Sequence, residues 1–112
     1  MPRKSYDTTQ LAPALRALGH PVPLRLMLDA QQGVELSASK AQERMPDVSL
    51  GTVAYHVRRL AAAGLLRATG HVPRRGAVEH LYVLSPLGVE LSAILEQLRG
   101  QRPSGARRRQ SR

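Results

Sequence analysis

The sequence predicts a mainly helical domain carrying a single β-hairpin, and three observations support this. Leucine-rich segments recur at helical spacing, each bounded by glycine, proline or serine. One segment, residues 65–84, reads instead as a two-residue apolar step, Leu65-Leu66, and a β-hairpin whose tip is Pro73-Arg74-Arg75-Gly76. The 112 residues, 42% of them hydrophobic, suffice for one domain with one modest core.

Residues 1–8 read as a flexible arm ahead of a domain spanning residues 9–99, with residues 100–112 a disordered basic tail. Leu11, Leu15 and Leu18, at spacings of four and three, mark one face of a first helix that Gly19 ends. Pro13 falls near its first turn, where a missing amide hydrogen is tolerated. His20 lies near the cap of a second helix opened by Pro21, with Leu24, Met27 and Leu28 pointing inward. Gln31-Gln32-Gly33 makes a turn, and Val34–Leu36 is long enough only for a very short strand. Ser37 or Ser39 caps a third helix through about Met45, and Ser49 caps a fourth that Gly64 stops. Leu65 and Leu66 lead into a strand to about Val72; the tip at Pro73–Gly76 reverses the chain, and Val78–Leu84 returns beside it. Ser85 and Pro86 then open a last helix over Leu87–Leu98. This order, α-α-β-α-α-β-β-α, with a short turn between the third and fourth helices, is that of a winged helix-turn-helix.

Charge and composition narrow the function classes. The chain has no cysteine, which excludes disulfides and thiolate metal sites within it. No apolar run approaches the roughly 18 residues of a membrane span, and the first ten residues lack the apolar core of a secretory signal. A cytoplasmic protein with no membrane partner is the expectation. The net charge of +9 is unevenly spread. Residues 1–49 carry +1, residues 50–84 carry +4, residues 85–98 carry −2 and residues 99–112 carry +6. The tail therefore holds most of the excess, either as a solubilising appendage or as an aid to binding a polyanion. The more specific signal is in residues 50–84, where five arginines face one acid, Glu79.

Placing the fourth helix at about 100° per residue separates two faces. Val53, Val57 and Leu60 cluster as core. Gly51, Tyr55, Arg58 and Arg59 lie opposite, with Thr52 at the edge beside the cap Ser49. That outer face offers a hydroxyl, a phenol and two guanidiniums without an acid. Thr52 and Tyr55 suit base edges or phosphates, Arg58 and Arg59 suit phosphates or guanine, and Gly51 permits close approach. His56, toward the core side, reads as a packed, hydrogen-bonded histidine. Arg74 and Arg75 at the hairpin tip would reach phosphate or an A·T minor groove. Tyr82 reads as mostly core, and His80 is left open. Leu87, Leu91, Ile94 and Leu98 form a narrow seam on the last helix, and Leu11, Leu15 and Leu18 repeat it on the first. Together they exceed what so small a core needs, which points to a two-fold homodimer.

From Leu15 onward the chain resembles the arsenical-resistance repressor (ArsR-type) regulators. The resemblance lies in ALGHPVPLRLML (17–28), ELSASKAQERM (35–45), SLGTVAYHVRRLAAAGLL (49–66) and the wing PRRGAVEHLYVL (73–84). It implies a repressor. The metal-sensing members place two cysteines in the third-helix segment, where this chain has Ser37 and Ser39, and the last helix lacks the Asp and His ligands of zinc sensors. The resemblance is therefore to the non-metal-sensing branch, with no metal site, no cofactor and an effector left unspecified. His20 and Pro23 also stand where the family usually has Asp and Arg.

The expected function is a dimeric regulator binding double-stranded DNA at a near-palindromic operator, with helix 49–63 in the major groove and wing 67–84 on flanking backbone or minor groove. The alternative is a winged-helix module for protein–protein contact, which would want an apolar outer face on the fourth helix. Three tyrosines are too few stacking platforms for a single-strand RNA reader, and no acid pair, nucleophile–base set or phosphate loop suggests an enzyme.

Overall fold

The computed structural model describes residues 6–30 and 35–100. Five helices and one hairpin follow in the order α1 (Thr8–Ala17), α2 (Pro21–Ala30), α3 (Ala38–Glu43), α4 (Leu50–Ala62), β1 (Leu66–Arg74), β2 (Ala77–Leu84) and α5 (Pro86–Gly100). α4 is the hub, touching α1, α2, α3 and β1, while α5 packs on α2 and β2. The core gathers Ala14, Leu26, Met27, Met45, Val53, Leu60 and Leu65 with their neighbours.

The caps follow the sequence. Ser37 caps α3 by accepting from Lys40 N–H, which decides between the two candidate serines. The His20 ring accepts from Val22 N–H at 3.1 Å and so caps α2. Ser85 accepts from Gly88 N–H and donates to the Gly64 carbonyl, tying the start of α5 to the end of α4. Gly64 and Gly76 both take positive φ, the first ending α4 and the second turning the hairpin.

Several expectations change. α1 begins at Thr8 behind an Asp7–Gln10 capping box, inside the presumed arm. Pro13 is therefore its sixth residue and removes an intrahelical bond instead of sitting harmlessly in the first turn. In α2 the fully buried positions are Pro23, Leu26 and Met27, with Leu24 and Leu28 only partly covered. α3 ends at Glu43, and Met45 is buried beyond it. The short strand is reduced to one bridge, Leu36 with Tyr82, closed by two backbone bonds of 2.8 and 2.9 Å. The hairpin is tighter and longer than expected: Arg74 pairs with Ala77 across Arg75-Gly76, and Thr69 is bulged between Ala68 and Gly70. Residues 1–5 of the arm, the turn and Val34 at 31–34, and the tail from residue 101 lie outside the described residues.

Candidate nucleic-acid interface

The outer face of α4 is built from its cap upward. Ser49 Oγ accepts from Thr52 N–H at 3.1 Å and donates to the Thr52 hydroxyl at 3.0 Å, so the two hydroxyls form one fixed pair at the helix start. One turn on, Tyr55 stands about half exposed (48%). Arg59 folds back along the helix, its Nη1 donating to the Tyr55 hydroxyl at 3.4 Å and its guanidinium carbon 5.8 Å from the ring centre. Arg58 is exposed, and neither Arg58 nor Arg59 makes an ion pair among the described residues. Gly51 is exposed, with nothing closer than 4.0 Å to where a Cβ would stand. Behind this face Val53, Val57 and Leu60 are buried, as the helical spacing requires.

His56 packs beneath the same helix. Its ring lies 4.7 Å from that of His20 and edge-on to Tyr55 at 5.1 Å. Burial, then the charges of His20 and Arg59, hold its pKa below the ordinary histidine value. The packing agrees with expectation, but Nδ1 has no hydrogen-bond partner among the described residues. His80 is exposed and Tyr82 is half-buried against the core.

The wing's two tip arginines are not equivalent. Arg75 is exposed at the turn, whereas Arg74 Nε donates to Glu79 Oε1 at 2.7 Å. Glu79 also accepts from the hydroxyls of Ser37 and of Ser39, the latter at 3.0 Å. Those hydrogen bonds, Ser37 first and then Arg74 and Ser39, bring its pKa down to about 2. Sequence reasoning counted Glu79 only as a negative charge. Its partners lie about forty residues away, and no local signal discloses them. Ser37 and Ser39 therefore latch the wing to the start of α3.

The apolar seams divide between two destinations. Leu18 and Leu87 are buried in the protomer's own core, and Leu11 and Leu91 are half-buried against it. Leu15, Ile94 and Leu98, joined by Val89, remain about half exposed or more. Among the described residues no group of three or more His, Asp or Glu is placed to hold a metal ion, and no helix is long and apolar enough to cross a membrane.

A helix pair joined by a short turn, followed by a hairpin beside the second helix, defines a winged helix-turn-helix domain. Residues 18–68 match the model of a family described as a helix-turn-helix domain. Reduced HlyU from Vibrio cholerae shares the fold at a TM-score of 0.62 with 22% identity, covering 86% of this chain and 92% of that one. The transcriptional repressor BigR from Xylella fastidiosa gives 0.60 with 21% identity, over 84% and 88%. A homodimeric winged helix-turn-helix DNA-binding domain from Mycobacterium bovis, described as a possible ArsR-family transcriptional regulator, gives 0.62 with 19% identity, over 92% and 94%. The ArsR-type resemblance read from the sequence thus accords with the solved structures of like fold. No curated protein sequence matches the chain.

Proposed function

We propose that the protein is a homodimeric, sequence-specific DNA-binding transcription regulator that represses by occupying a near-palindromic operator. The observation that carries this reading is the outer face of α4, where Thr52, Tyr55, Arg58 and Arg59 are presented with no carboxylate among them. A helix of this width enters a major groove, where hydroxyl, phenol and guanidinium groups read base edges or grip phosphates. Ser49 and Gly51 form the entering end, and the wing, through Arg75 first and Arg74 second, reaches the flanking backbone or minor groove. Homodimerisation through Leu15, Ile94 and Leu98 would set two such helices about one DNA turn apart. The M. bovis domain, described as homodimeric, and BigR, described as a repressor, support the finer parts by likeness of fold.

The test is gel retardation of the chain's own upstream DNA. Tyr55→Ala combined with Arg58→Ala should abolish the specific shift while the circular dichroism spectrum is kept, because both side chains are exposed. Unchanged affinity in a folded double variant would overturn the reading.

A further inference from the structure

Between α4 and the wing lies a groove of about 510 Å³, within the range of small-molecule sites. Its walls are apolar: Leu50 and Ala54 on one side, Ala77, Val78 and Tyr82 on the other. Leu50 and Val78 are each half exposed (50%), so this apolar lining stands open to solvent. A hydrated phosphate backbone gains nothing from such walls. The lining also carries polar and charged side chains. Arg74 and Glu79 offset one another, which leaves Arg58 as a guanidinium with no ion pair among the described residues, and His80 in the same lining offers a ring nitrogen. The groove is also preformed, because the bonds from Ser37 and Ser39 to Glu79 fix β2 against α3 and so hold the wing off α4.

We infer that this groove binds a small amphipathic monoanion, a carboxylate on an apolar body of roughly the size that such a volume accepts. The body lies on Leu50, Ala54 and Val78, and the carboxylate takes a forked hydrogen bond from Arg58. Arg58 is thereby withdrawn from DNA, and the ligand fills the space that the wing and α4 must present to the duplex. That regulatory consequence rests on the proposed DNA-binding function; the ligand site itself does not.

Octanoate is a suitable probe, with acetate (charge without body) and octylammonium (body with the opposite charge) as controls. In a two-dimensional amide NMR titration of the full chain, octanoate should saturably shift Leu50, Ala54, Arg58, Val78 and His80. Acetate should shift none of them, and octylammonium should bind at least about tenfold more weakly. Arg58→Gln should weaken octanoate by about tenfold, the loss of one charge-assisted contact. Val78 is exposed enough to accept a charge without unfolding, and Val78→Glu should abolish the shifts. Equal binding of octylammonium, or shifts that survive Val78→Glu, would overturn the site. In retardation assays saturating octanoate should release bound DNA. A chain that binds octanoate but no DNA would refute the regulator and leave the site standing. One that binds DNA but shows no saturable shifts would refute the site alone.

Discussion

Glu79 shows how much a single side chain can organise. A carboxylate that accepts from two hydroxyls and a guanidinium is stabilised in its charged form, and its pKa lies at about 2 against an ordinary 4.5. A depressed carboxylate adds stability that is fully present above its unfolded pKa and is lost as pH falls through its folded one. Wild type should therefore exceed Glu79→Gln in Tm at pH 7, with the gap narrowing below about pH 4.5 and closing near pH 2. Thermal melts across that range check it, and a gap independent of pH would refute the linkage. The same residue gives Ser37 and Ser39 a part in the fold. Their hydroxyls hold a wing carboxylate.

At the scale of elements, the wing and α5 make separable predictions. Arg75 is exposed at the turn with no ion pair among the described residues and Arg74 is paired, so the two should differ in salt dependence. Arg75→Ala should flatten the plot of log affinity against log salt by about one unit, the loss of one phosphate contact, and Arg74→Ala by clearly less. Equal slopes for the two variants would mean that the Glu79 pair opens on DNA. On α5, a Cβ at Gly88 would lie 2.2 Å from the Leu65 carbonyl oxygen and 3.1 Å from Leu84. Alanine gains up to about 1 kcal/mol in helix propensity, but a backbone atom cannot yield as a flexible side chain does. Gly88→Ala should lower unfolding free energy by about 1–3 kcal/mol, read from the urea midpoint.

For the whole molecule, the question is which apolar surface is surplus. Burial of Leu18 and Leu87 removes them from any exterior seam, leaving Leu15, Val89, Ile94 and Leu98 uncovered on the two terminal helices. Ile94→Glu with Leu98→Glu should give a monomer by light scattering with little loss of protomer stability, since both side chains are already exposed. A persistent dimer would place the interface elsewhere.

Local chemistry determined most of the elements. Serine caps, glycine stops and leucine spacing marked α2, α4, the hairpin and α5, because each depends on contacts within a few residues. The two faces of α4 were equally legible, since about 100° per residue separates Val53, Val57 and Leu60 from Tyr55, Arg58 and Arg59 without knowledge of anything else in the chain. Tertiary structure alone decided the rest. The Glu79 latch joins residues some forty positions apart, and the groove exists only where α4 and β2 face one another. The division of one leucine seam into core and exterior depended on what packed against each helix. Periodicity says which side of a helix is apolar; only the fold says whether that side is covered.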